Sequence, residues 1–193
     1  MTRAQYQDKI LGKNEEWIKR EVKYWRQKKK KIVLTQGSFD LIHIGHGRYL
    51  QEAKNYGDVL FVGMDSDEKV RRRKGPERPV VPEEERLEML SYLDSVDFAI
   101  LKPVEVEKWW LIKLIRPDVL IATKRTYTAK QREALKEYCG EVVVLEEQAT
   151  TSTSAKIRRV QIGAAKEIST TLSAKLVKTI EQVLEEIKNG DSD

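Results

Sequence analysis

The stretch Ile32-Val33-Leu34-Thr35-Gln36-Gly37-Ser38-Phe39-Asp40-Leu41-Ile42-His43-Ile44-Gly45-His46 changes character twice. Its first four residues are apolar or β-branched and read as a strand. Gln36-Gly37-Ser38 carries a turn signal, and a helix is expected from about Gly45 through Ala53. A strand, a tight turn and a helix start form the opening of a βαβ unit. The alternation continues along the chain. Strand-like runs stand at Val59–Gly63, Phe98–Ile100, Val119–Ile121 and Val142–Leu145, and helical patterns at Pro82–Leu93, Trp109–Ile115, Ala129–Tyr138 and Ser152–Val160. Strands apolar on both faces belong to a parallel sheet covered by helices. Right-handed crossovers make this a doubly wound α/β fold, with its binding crevice at the carboxyl ends of the strands.

Outside this core the reading is helical. In residues 1–30, Tyr6, Ile10, Trp17, Ile18, Val22 and Trp25 recur at roughly helical spacing, with Gly12 as a candidate break. From Lys166 to Lys188 a long helix is expected, with a stripe of Ile168, Leu172, Leu176, Ile180, Val183 and Ile187. The expected organisation is an N-terminal helical extension (1–30), a central domain (31–163) and a C-terminal helix and tail (164–193). The stripe is expected to pack on the domain or to form a homodimer.

The 193 residues suit about one domain, and 40% hydrophobic with 35% charged residues describes a globular chain. The single cysteine, Cys139, allows no intrachain disulfide and fits a reducing cytoplasm. No apolar run long enough to cross a membrane occurs, and no signal-peptide core stands at the N-terminus. With two histidines and one cysteine, a structural zinc site is excluded, and no residue is assigned as a metal ligand. The net charge of +5 is unevenly placed: Lys19 to Lys31 holds eight basic residues and one acid, and Arg71 to Arg78 five and one. Such runs attract polyanions, either nucleic acid or a nucleoside triphosphate.

The chemistry-bearing segment is Gly37 to His46. Small residues at Gly37 and Ser38 let backbone N–H groups approach an anion. His43 and His46, the two histidines of the chain, lie three apart at a helix start, whose positive end favours phosphate. Two imidazoles there can donate hydrogen bonds to phosphoryl oxygens that gain charge in a transition state. The P-loop pattern and the dinucleotide fingerprint are both absent, Leu50 standing where the latter needs a third glycine.

Gly37–His46 resembles the GxFDxxHxGH signature of the cytidylyltransferase-like nucleotidyltransferases, a Rossmann-like branch of the HIGH superfamily. Three further segments match in order. Asp65-Ser66-Asp67 follows the second strand of the pattern, as the family's SD or TD pair does. Lys74-Gly75-Pro76-Glu77-Arg78-Pro79-Val80 and Arg86 resemble a stretch of the adenylyltransferase domain of ADP-heptose synthase. Ser152-Thr153-Ser154 resembles the family's late S-T-[S/T] motif, whereas Ser169-Thr170-Thr171 copies the tripeptide inside a helix pattern.

The resemblance implies that a phosphorylated acceptor attacks the α-phosphorus of a nucleoside triphosphate and pyrophosphate leaves, with Mg²⁺ accompanying the triphosphate. It implies catalytic roles for His43, His46, Lys74 and Arg86, the last two neutralising phosphate charge. It places the nucleotide on Gly37, Ser38, Phe39, Asp40, His43, His46, Asp67, Ser152, Thr153 and Ser154. ATP is favoured over CTP and a sugar phosphate is the expected acceptor. The alternatives are a cytidylyltransferase for a polyol or choline-like phosphate, an adenylyltransferase for flavin mononucleotide, and a nucleic-acid-binding module. One segment departs from the family. Relatives carry glycines and an acid after the strand that matches Val119–Ile121, as in K-G-G-D-Y, and this chain has Ala122-Thr123-Lys124-Arg125-Thr126-Tyr127. Lys124 and Arg125 are therefore expected to hold an anionic group of the acceptor.

Overall fold

The computed structural model describes residues 6–146 and 153–190. The chain divides into two compact units, residues 1–150 and 151–193. In the first unit, six parallel strands form one sheet in the order β1-β4-β3-β2-β5-β6. They are β1 (Ile10–Gly12), β2 (Ile32–Gly37), β3 (Val59–Asp65), β4 (Phe98–Lys102), β5 (Val119–Thr123) and β6 (Glu141–Leu145). The helices are α1 (Glu15–Gln27), α2 (Ile44–Lys54), α3 (Asp67–Lys74), α4 (Glu83–Ser91), α5 (Trp110–Ile115) and α6 (Ala129–Leu135).

The strand residues explain the layering. Ile32 and Leu34 of β2 pack with Ile18, Ile112 and Leu135 on one face, under α1, α5 and α6. Val33, between them, points the other way and packs with Leu50 and Leu90 of α2 and α4. Side chains alternate along a strand, so an all-apolar run feeds two cores at once. The chain leaves β2 for β3 and β4 in one direction and returns to place β5 on the other side of β2. The carboxyl ends of β2 and β5 therefore flank the switch point where open sheets bind ligands.

The amino-terminal reading is corrected in part. Glu15–Gln27 is helical, opened by Asn14, whose side chain accepts from Glu16 and Trp17 N–H. Ile10–Gly12 is instead an edge strand paired with β4, and Ala99 N–H donates to Lys9 O at 2.8 Å. Gly12, at φ 56, turns the chain between strand and helix. A strand of three residues is too short to display alternation, so the apolar spacing there mimicked a helix.

The second unit contains one helix, α7 (Thr153–Gly190), of 38 residues. The boundary expected at residue 163 falls inside it, because no breaker stands between Val160 and Lys166 except Gly163. Among the described residues no helix is long and apolar enough to cross a membrane.

Candidate active site

Gly37 ends β2, and a carbon added at its Cβ position would lie 3.0 Å from the Phe39 ring. A side chain there would press on the Phe39 ring, which folds back over this position. Phe39 and Leu41 both hold positive φ, 48° and 46°. Bulky residues adopt that region only under strain, which the surroundings must offset. The offset is Asp40, 2% exposed. Its carboxylate accepts from Arg78 Nε at 2.7 Å and from the N–H groups of Val80 and Val81 at 3.0 and 3.2 Å. Burial alone would raise this carboxyl, but the Val81 and Val80 amides and the Arg78 guanidinium hold it below the usual carboxylate range.

His43 is the N-cap of α2: its Nδ1 accepts from Gly45 N–H at 3.1 Å. His46 reaches back, and its Nδ1 accepts from His43 N–H at 3.3 Å. A ring nitrogen that accepts carries no proton, so each neutral imidazole holds its proton on Nε2. The rings stack obliquely with centroids 4.2 Å apart, and the Phe39 ring lies 5.7 Å from that of His46. The reciprocal cap thus produces two Nε2–H donors beside the positive end of a helix, at the switch point.

Among the described residues Arg86 is the largest fully buried side chain, 1% exposed. Its Nη1 donates to the carbonyls of Ser38 and Asp65, Nε to Val81 O, and Nη2 to Asp67 Oδ1. The expectation that Arg86 meets phosphate is corrected: its donors tie the ends of β2 and β3 to the 78–81 loop, which makes it a positioning residue. Asp67 shares that duty, since its carboxylate pairs with Arg86 and its N–H donates to Glu83 Oε2 at 2.6 Å. Lys74 is the last residue of α3. Its ammonium is held below the ordinary lysine value by surrounding protein first, then by the Arg73 and Arg78 cations.

Lys124 and Arg125 lie on an exposed turn after β5, and Lys124 pairs with Glu146 at 2.7 Å. They do not line the cavity of about 360 Å³ that opens at the strand ends. Thr126 and Tyr127 line that cavity instead. Ser152 lies outside the described residues, and Thr153 and Ser154 are the first residues of α7. Ser169–Thr171 lies within α7, where the Thr170 hydroxyl donates to Lys166 O at 2.9 Å.

Sequence reasoning missed Arg73 and Lys102. Arg73 Nη2 donates to Ser38 Oγ at 2.9 Å and sits 2.9 Å from Asp65 Oδ2. Lys102 Nζ donates to Asp65 Oδ1 at 3.0 Å. Both had a signal: Lys69 and Arg73 share a helix face at i, i+4, and Lys102 closes an apolar strand run at the crevice end. No group of three or more His, Cys, Asp or Glu side chains among the described residues could hold a metal ion.

The comparisons with known proteins agree with this geometry. A family model described as cytidylyltransferase-like matches residues 34–187. The bifunctional protein HldE of Wolinella succinogenes is 39% identical over 155 residues, 80% of this chain and 32% of that protein. HldE of Geotalea uraniireducens is 39% identical over 149 residues, 76% of this chain and 30% of that protein. The chain thus spans about a third of the length of these curated relatives. Among solved structures, the lipopolysaccharide core biosynthesis protein from Thermoplasma volcanium GSS1 is 27% identical with a TM-score of 0.53, covering 60% of this chain and 97% of that one. The histidine-capped turn between β2 and α2 and the model spanning residues 34–187 lead to one assignment: this chain belongs to the cytidylyltransferase-like family.

Proposed function

We propose that the chain transfers a nucleoside monophosphate from a nucleoside triphosphate, with ATP favoured, to a sugar phosphate, releasing pyrophosphate. The observation that carries this is the His43–His46 reciprocal cap, which sets both rings in the first turn of α2 with each Nδ1 accepting a backbone N–H. An acceptor phosphate oxygen forms a bond to the α-phosphorus, and the bond to the bridging oxygen of the β-phosphate breaks. The electron pair leaves with pyrophosphate. No covalent enzyme intermediate is needed, so catalysis consists of positioning and charge stabilisation. The two histidines donate to the phosphoryl oxygens as charge builds on them. Gly37, Ser38 and Phe39 offer backbone to the α-phosphate, and Lys74 supplies positive charge. Both oxygens of Asp40 are engaged by Arg78, Val80 and Val81. The residues present therefore suit Mg²⁺ carried on the triphosphate rather than caged by protein, as is usual for that ion. The ATP preference rests on the likeness of Lys74–Val80 to the heptose enzymes. We place the protein in the cytoplasm as a homodimer.

The test is pyrophosphate release with each of the four nucleoside triphosphates against hexose and heptose phosphates, glycerol phosphate and phosphocholine. Release with ATP and a sugar phosphate is the expected result. Release with none of these acceptors removes the assignment.

A further inference from the structure

The acceptor side of the site is built from residues that the signature motifs leave unassigned. Asp65 is 1% exposed at the end of β3. Its Oδ1 takes the Lys102 ammonium at 3.0 Å, and the Lys102 side chain is itself only 14% exposed. The lysine stem lies where a side chain at Gly63 would be: an added Cβ there would come within 2.9 Å of Lys102 Cδ and 2.5 Å of Leu111 Cδ2. The other carboxylate oxygen, Oδ2, is ion-paired with Arg73 Nη2 at 2.9 Å. Arg73 Nη2, which carries two N–H groups, also donates to Ser38 Oγ. Asp65 therefore stands between two cations in the wall of the cavity, a charged cluster that a polar ligand can join.

The opposite wall is aromatic. Trp109 holds φ 64, a region that strains a bulky residue, and such strain persists at ligand clamps. Tyr127 is fixed by Gln36, whose Nε2 donates to its hydroxyl at 3.0 Å. Trp109, Tyr127 and Gln36 line the 360 Å³ cavity together with Asp65, Arg73 and Lys102. Its cations, Lys69, Arg73, Lys102 and Lys108, outnumber its acids, Asp65 and Glu107. An acceptor with a quaternary ammonium would be repelled. A hydroxyl both donates and accepts, so adjacent hydroxyls match a carboxylate beside an ammonium. Burial holds the Lys102 ammonium below the usual lysine value despite Asp65, so oxygens that solvate it would be favoured.

We propose that Asp65 and Lys102 select the acceptor, binding neighbouring hydroxyls of a polyhydroxylated phosphate whose carbon skeleton lies on Trp109 and whose phosphate meets Arg73. Arg73 also touches Ser38, so it joins this pocket to the loop that takes the nucleotide. The inference rests on the nucleotidyl-transfer reading above and names the acceptor class for the same site.

Calorimetry on the full chain tests it without turnover, with a panel of hexose and heptose 1-phosphates, phosphocholine and inorganic phosphate as probes. At least one sugar phosphate should bind tenfold or more tighter than phosphocholine and inorganic phosphate. Lys102→Met, which keeps the stem over Gly63, should weaken that sugar phosphate at least fivefold and inorganic phosphate less. If that variant fails to fold, the paired change Asp65→Asn with Lys102→Met, which removes both charges, decides by the same criterion. A smaller loss, or a wild-type protein that does not favour sugar phosphates, overturns the inference. Pyrophosphate release separates the two levels. Release with phosphocholine alone would sink this inference and leave nucleotidyl transfer standing. Sugar-phosphate binding as described, with no release from any acceptor, would sink the transfer reading instead.

Discussion

At the scale of single residues, the histidines do two jobs at once, and the two can be separated. His43 Nδ1 caps α2, so His43→Ala removes both a cap and an Nε2 donor. Loss of a cap costs about 0.5–2 kcal/mol. His46 Nδ1 only returns a hydrogen bond to the cap residue's N–H, at 3.3 Å. Both variants should lose about 10²-fold or more in turnover at saturating triphosphate, on the scale of one transition-state donor. Denaturant midpoints should fall further for His43→Ala than for His46→Ala. Near-normal turnover in either variant would remove its catalytic role. The sequence made the histidines legible because both stand in one glycine-flanked turn. It could not reveal the fate of Arg86. A motif position gives a residue type, but which way its guanidinium turns depends on carbonyls at Ser38 and Asp65, 48 and 21 residues away. Lys102 was hidden for a related reason: a cation at the end of a strand looks like a solvated edge until Gly63 and Asp65 are seen to enclose it.

At the scale of elements, the basic run Lys19–Lys31 illustrates how a charge pattern can be absorbed by the fold. In a parallel α/β unit the helices end at the face opposite the active site, each presenting unpaired carbonyls. A cavity of about 690 Å³ on that face is lined by Arg26, Lys29, Lys31, Arg116 and Lys136, among others. Arg26 Nη2 donates to Ile115 O at 2.9 Å and to Arg116 O at 2.6 Å, closing the end of α5. Arg116, at φ 48, donates in turn to Glu137 O at 3.0 Å beyond α6. Arg26 and Arg116 thus answer helix ends, and Lys30 of the run pairs with Asp58 at 3.0 Å, which takes two of the run's cations into the fold. Arg26→Met should therefore destabilise the fold by about 1–2 kcal/mol, the range for a charged hydrogen bond that is partly exposed. Chemical denaturation would measure it. An unchanged midpoint together with a loss of salt-dependent RNA affinity would return the run to the polyanion reading. The strands and most helices were legible because apolar runs fed two cores. The short elements were not: β1 has three residues, and α3, whose Asp67–Lys74 sequence holds only Val70 as a buried residue, lacks an apolar stripe.

At the scale of the whole molecule, the unresolved demand is the apolar surface of α7. Ile168, Leu172, Leu176 and Ile180 recur every fourth residue and are 50–63% exposed. Thirty-eight residues span about 57 Å at 1.5 Å per residue. Isolated helices draw little stability from propensity alone, and an amphipathic one depends on covering its stripe. Each aliphatic side chain so covered contributes about 1.5–3 kcal/mol. A second copy related by a two-fold axis would present the same stripe to itself, so the four residues of one chain would meet the four of the other. The proposed homodimer thus predicts a concentration-dependent helix content. Sedimentation at tens of micromolar should give a dimer, and Leu172→Glu with Leu176→Glu should give a monomer. The dimer proposal is lost if the unaltered chain sediments as a monomer at that concentration. Far-ultraviolet circular dichroism of the double variant then supplies the second reading. If α7 depends on its twin, helical signal falls as the dimer dissociates, while Tyr127 and the strand-end site of the first unit should still bind a sugar phosphate.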